Sequence, residues 1–409
     1  MDGTRRTEGA PQTDSHALSD IRIIDFSHVF QGPVGMQLLG DFGADVIKVE
    51  RPGSGDWSRS WGPFVGDASL PFISLNRNKR SVALDLKTPE GKRALLDLIK
   101  SADVLVHNFR PGVMERLGMG YEDLKPLNPR LVYAQSSGWG DQGPYVESGR
   151  GGHDLMARAA AGLFAPLGPN GLPVPAGISA DYPAGMLLTI AILLALHARE
   201  RTGVGQRVST DLLSAAYHTN TWHSGTELNR DRIESDAGVG ASEAAISPSF
   251  RTADGFIEVS AVFSDDALRD ISVALGLGDL SQDPRFADKA GRPERADEIN
   301  AILSARFLEK TTDAWIALLE PQRILCARIN TYAEAAADPQ LLANDMIEEM
   351  TVGEGDALRI LGTPIRLYGT PSSRRLDPPR LGEHTIEVLR ELGYDDVAID
   401  QMRDAGAFG

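Results

Sequence analysis

The stretch IRIIDFSHVFQGPVGMQLLGDFGADVIKVE, residues 21–50, decides the fold. Ile21 to Phe26 is a short isoleucine-rich run of strand character, Gly32 and Pro33 lead into a helical stretch to Phe42, and Ala44 to Glu50 is strand-like again. No proline interrupts either strand, so the segment reads as a βαβ unit. The alternation continues with Ser81–Leu86 as strand, Pro89–Ser101 as helix, and Asp103–Asn108 and Leu131–Ser136 as strands. That order predicts an α/β fold, a parallel sheet flanked by helices. Loop residues such as His28, Arg51 and Asn108 then fall at the carboxyl ends of strands, where open α/β sheets bind ligands.

A chain of 409 residues exceeds the ~250 to 300 over which a single core usually grows, so a second domain is expected. From Gly151 the texture changes to small residues and helix: His153–Phe164, a Gly/Pro-rich stretch from Pro166 to Gly177, then Asp181–Glu200. Past Asn229 a polar segment, Arg230–Ser242, leads to a hairpin over Ser249–Ala261. The division expected is a loose tail over 1–20, a large domain over 21–228, a smaller α+β insertion over 229–330, and a return to the large domain over 331–409 that ends in a helix from Thr385 to Leu392.

Composition narrows the function. The net charge is -16 with no long Lys/Arg run, which argues against a nucleic-acid partner. Cys326 is the only cysteine, so neither an internal disulfide nor a thiolate cluster can form, and a reducing, cytoplasmic setting fits; its apolar surroundings suggest a buried thiol. The most apolar run, Met186–Leu196, is 11 residues against the ~20 of a membrane span and reads as a buried helix. No histidine opens an H-E-x-x-H ligand pattern, so no metal is expected.

The glycines of the first unit, Gly32, Gly35 and Gly40, do not make a dinucleotide fingerprint, although Glu50 stands where a ribose-binding acid belongs. Arg51, Arg59, Arg77, Lys79, Arg80 and Lys87, interleaved with Trp57 and Trp61, form a candidate cradle for a polyphosphate anion. Asp181, two residues before Pro183 at the head of a long apolar helix, is by default an N-cap. Helix dipole and amide donors would also keep it ionised and able to attack an acyl carbon.

Four segments together, residues 24–62, SLNRNKRSVALDLKTPEG at 74–91, HNFRPGVMERLG at 107–118 and ISADYPAG at 178–185, resemble the class III CoA-transferases, the CaiB/BaiF family. The resemblance runs over nearly the whole chain from Ile21 to the LGEHT element at 381–385. It implies a Rossmann-like CoA-binding domain, an interlocked homodimer with the active site near its interface, and exchange of CoA between an acyl-CoA and a free carboxylic acid. Coenzyme A enters as part of the substrate, with no tightly bound cofactor.

By the same resemblance Asp181 matches the nucleophile, which forms an acyl anhydride and then an aspartyl-CoA thioester. His28, Gln31, Arg51, Leu84, Leu86, Lys87, Asn108, Phe109 and Arg116 match positions that hold CoA. Phe30, in the same loop, stands where the formyl-CoA:oxalate enzymes have a glutamine, and past Asn229 only the separated Gly238 and Gly240 occur instead of a glycine run. Both departures point away from oxalate or formate.

The Gly-His-Asp at 152–154 resembles the α-methylacyl-CoA racemases of the same superfamily and keeps a second reading open, with His153 and Asp181 as an acid/base pair. Alternatively His153 is a helix-start residue donating to a backbone carbonyl, with Asp154 as the cap. A CoA-binding protein without activity is the reading from a different class.

Overall fold

The computed structural model describes residues 16–165, 172–233, 243–352 and 356–409. The Gly/Pro stretch after Pro166, the polar segment with Gly238 and Gly240, and most of the expected tail lie wholly or partly outside these residues. The chain divides into two compact units, residues 1–227 with 345–409, and residues 228–344. The segment 331–344, expected with the larger unit, belongs to the smaller one, and the crossing back comes at Asp345.

The larger unit is built on a six-stranded sheet of β1 (Arg22–Asp25), β2 (Asp45–Glu50), β3 (Lys79–Ala83), β4 (Val104–His107), β5 (Val132–Ser137) and β6 (Arg207–Asp211). The spatial order is β6-β5-β4-β1-β2-β3, with every neighbouring pair parallel. This is the Rossmann order, in which strand progression reverses between β1 and β4. The sixth strand was not legible: Arg207–Asp211 is polar and lies at the sheet edge, so it lacks the continuous apolar run of the inner strands.

Alternation along the strands explains the two cores. Ile24, Ile47, Val49 and Leu105 face Leu95, Leu98 and Ile99 of helix α2 (Pro89–Lys100) and the C-terminal Val388, Leu389, Ile399 and Met402. Ile23, Val46, Val104 and Val132 face Met36 and Leu39 of α1 (Gln31–Asp41) and Leu188, Ile192 and Ala195 of a 22-residue helix, Asp181–Thr202. The C-terminal segment is tied to the β3 edge, where the Gly382 and His384 N–H groups donate to Ser81 Oγ and O, and a further helix at Asp396–Asp404 follows the expected last one. Residues 16–20 are also ordered, with the Leu18 N–H donating to Phe42 O.

The long apolar helix is buried on one side only. Ile190 is 52% and Leu194 63% exposed, so the expected buried helix is half correct: length and composition alone would suffice to cross a membrane, while its inner residues pack against the sheet and α1.

The smaller unit has a three-stranded antiparallel sheet of Ser249–Arg251, Phe256–Ser260 and Leu325–Arg328. Phe250 stacks on Phe307 at 4.6 Å, and Trp315 is buried with its Nε1 donating to Phe307 O. Cys326 sits on the outer strand of this sheet and is half-buried where a buried thiol was expected.

Candidate active site

The reversal between β1 and β4 opens a crevice at their carboxyl ends, and the two loops that leave there hold each other. His28 N–H donates to Asn108 Oδ1 at 2.9 Å, and Asn108 Nδ2 donates back to His28 O at 2.8 Å. The His28 ring lies 5.6 Å from Phe109 and 5.8 Å from Trp57. Burial, then the Lys48 charge, pushes its pKa below the ordinary value, so the imidazole is neutral at pH 7.

The next residue, Val29, has φ +70°, a conformation that β-branched side chains rarely adopt. Its N–H is held by the Asp56 carboxylate, which in turn pairs with the fully buried Lys48 at 2.8 Å. This sharp turn delivers Phe30 as N-cap of α1, whose start carries no side-chain cap.

The label α3 is given to Asp154–Ala160 and α4 to Asp181–Thr202. Asp181 is the first residue of α4 and not its cap. The cap role belongs to Asp154, which accepts from the Ala180 N–H and from Ser179 Oγ and pairs with Arg158. His153 caps α3 by accepting the Leu155 N–H at Nδ1. The expectation of His153 as donor and Asp154 as cap of its own helix is thus reversed in its bonding, because Asp154 reaches across to the next helix.

No hydrogen bond or ion pair of the described residues reaches the Asp181 side chain. Burial and the neighbouring Asp154 charge raise its pKa to about 7, so the fully ionised carboxylate inferred from the helix dipole is corrected to one near half-protonation at neutral pH. Its partners on the helix face explain where it points: Gly185, one turn on, packs so tightly that a Cβ there would lie 2.3 Å from Gln31 O and 2.6 Å from Val34 Cγ1. Asp181 therefore stands beside the uncapped start of α1.

Several expected contacts are committed elsewhere. Gln31 is buried and donates to Ser136 Oγ, and Leu84 belongs to the sheet core. Of the basic cradle, Lys79 pairs with Asp25, Arg59 with Glu50, Arg77 with Asp41, and Arg80 with Asp45 and Glu391. Glu50 is a structural anchor and not a ribose acid, accepting from Arg59, Ser81 Oγ and the Asp56 N–H. Arg51, Lys87 and Arg116 remain exposed and without an ion pair among the described residues, and Leu86 and Phe109 are half-buried.

A hollow of about 280 Å³ continues from Asn108 and Phe109 past Arg110 and Arg116 to Trp139 and Arg150. Arg150 lies over the rings of Trp139 and Tyr145, at 5.1 and 4.3 Å. Arg110 and Arg150 were missed by the sequence reasoning, though the first lies inside HNFRPG and the second just before Gly-Gly-His-Asp. Among the described residues no group of three His, Cys, Asp or Glu forms a metal site.

A Rossmann-ordered sheet with basic side chains around its switch-point crevice, and an unpartnered carboxylate on the adjoining helix, suits an enzyme that binds an anionic ligand beside a reactive carboxyl group. Comparison with known proteins agrees. The model of CoA-transferase family III matches residues 18–385. An acyl-CoA transferase of Fusarium pseudograminearum is 41% identical over 95% of this chain and 88% of its own. A succinyl-CoA:glutarate CoA-transferase of Mus musculus is 35% identical over 97% and 92%. A crystal structure of a CaiB/BaiF family protein from Brucella suis superposes with a TM-score of 0.80 at 31% identity, covering 92% of this chain and all of that one. The chain belongs to CoA-transferase family III, and it is a CoA-transferase.

Proposed function

We propose that the protein moves CoA between an acyl-CoA and a free carboxylic acid with Asp181 as the nucleophile. The observation that carries this reading is the Asp181 carboxyl itself, free of hydrogen-bond partners, raised to about 7, and placed beside the uncapped start of α1. A carboxylate of that basicity is a better nucleophile than an ordinary aspartate, and half of it is ionised at neutral pH.

An Asp181 oxygen attacks the thioester carbonyl, the C–S bond breaks, and CoA leaves as thiolate with an aspartyl-acyl anhydride remaining. The thiolate attacks the aspartyl carbonyl and releases the donor acid as its carboxylate, leaving an aspartyl-CoA thioester. The acceptor carboxylate attacks that carbonyl, regenerating an anhydride and the thiolate, which takes the new acyl group and frees Asp181. No proton is gained or lost over the cycle. The α1 start is the nearest source of backbone donors for the tetrahedral oxyanions. Arg51, Lys87, Arg110 and Arg116 are the cations available to the CoA phosphates.

A homodimer is part of the proposal, because it would cover the exposed Ile190 and Leu194 side of α4. The racemase alternative draws less support: His153 is exposed and its Nδ1 is committed to the Leu155 N–H.

The test is incubation with acyl-CoA donors and free acids in deuterated water, followed by mass spectrometry. New thioesters, with Asp181 modified after hydroxylamine or borohydride trapping, are the expected result. Deuterium at the α-carbon without exchange of acyl groups would instead establish the racemase.

A further inference from the structure

A second cavity, of about 480 Å³, is lined by the residue that follows Asp181 in the chain. Tyr182, which follows Asp181, and Met186, one turn on, form one side; Val29 and Phe30 at the start of α1 form another; Trp61 and Leu361 contribute further apolar surface. For an acyl group carried by Asp181, this cavity is the apolar space next to Tyr182 and the α1 start.

The polar groups in the lining decide what that far end can be. Arg77 is the only cation among the lining residues, and each nitrogen of its guanidinium is already engaged. Nε and Nη2 donate to the two Asp41 oxygens at 2.9 and 2.6 Å, Nη1 donates to Leu361 O at 2.6 Å, and Nη2 also meets Thr363 Oγ1 at 3.2 Å. Gln37 Oε1 accepts the Arg77 N–H, and Ser58 Oγ donates to Asp56. A second carboxylate brought into this cavity finds no free cation, sits near the Asp41 anion, and has only neutral donors such as Tyr182 and Trp61 to replace its water. An alkyl tail in the same place exchanges water for apolar contact.

We propose that this cavity receives an uncharged apolar acyl tail, so that the enzyme works on CoA thioesters of monocarboxylic acids in preference to dicarboxylic ones. The mouse relative, by contrast, is named for succinate and glutarate. The proposal rests on Asp181 as the acyl-bearing residue.

The test compares pentanoyl-CoA with glutaryl-CoA, which differ only in a terminal methyl or carboxylate on a five-carbon chain. Calorimetric binding to Asp181→Asn is measured beside kcat/KM of the intact enzyme. Pentanoyl-CoA is expected to bind, and to turn over, roughly tenfold or more better than glutaryl-CoA. Equal or inverted binding, or no binding of either thioester, overturns the assignment of the cavity. Retained binding preference with no acyl exchange in the intact enzyme would instead strike the nucleophile and leave the cavity standing.

Discussion

The carboxylates of Asp154 and Asp181 divide the start of α4 between them: Asp154 takes the Ala180 N–H, and Asp181, on the same turn, is left without a donor and under the field of its neighbour. The pH dependence follows. With its pKa raised to about 7, Asp181 is protonated below that pH and, as the proposed nucleophile, would be inert there, so kcat/KM should fall about tenfold per unit on the acid side. Asp154→Asn keeps an acceptor for Ala180 but removes the charge, and the acid limb should move to lower pH. A limb that stays in place in Asp154→Asn would show that the Asp154 charge does not act on the nucleophile.

The same shift has a stability sign. A raised carboxyl pKa contributes stability that is complete below the unfolded value and lost as pH rises through the folded one, here from roughly 4 to about 7. Asp181→Asn should therefore melt above the wild type at pH 8, and the gap should narrow at pH 5. Thermal melts at the two pH values read it directly.

Asn108→Ala removes both bonds that pin the His28 backbone and leaves its N–H and C=O unpaired. A loss of about 1–3 kcal/mol is expected in denaturant unfolding. Because the loop frames the crevice, KM for the acyl-CoA should rise more than kcat falls. An unchanged KM would detach this loop from CoA binding.

Gly185→Ala places a methyl 2.3 Å from Gln31 O, against backbone that cannot turn aside. Helices α1 and α4 must part, at ~1–3 kcal/mol or more. Since Asp181 lies one turn away on the same face, kcat should drop even in the fraction that stays folded, which active-site titration against a trapped acyl group would report.

What could be read from residues alone was set by periodicity. Ile23 and Ile24, Val46 and Ile47 have the unbroken apolar character of strands buried on both faces, so the inner sheet was legible. Arg207–Asp211 has no such character and was lost. Asp181 was found through ISADYPAG, but its ionisation was not, because burial and the Asp154 carboxyl, which lies 27 positions earlier in the sequence, raise the pKa only once the fold brings them together. The cradle failed for a related reason: a run of cations shows charge but not partners, and Asp25, Asp41, Asp45 and Glu50 claim four of the six.

The Lys48–Asp56 pair carries the last prediction. Both side chains are buried, and Asp56 also holds Val29 in its φ +70° turn by accepting the N–H. Asp56→Ala takes the ion-pair partner from the buried Lys48 ammonium, which keeps its bond to Ser27 O and the field of Asp25, and frees Val29, so about 3–5 kcal/mol should be lost. Lys48→Met removes the buried ammonium altogether, and in that background Asp56→Ala should cost less, because there is no stranded charge left to bury. A double-mutant cycle measures the difference. If the two losses simply add, the pair is a bystander and the Val29 turn is held by packing; a positive coupling, together with a kcat that recovers in neither single variant, assigns the pair to the support of the α1 start, which the proposed mechanism uses for its donors.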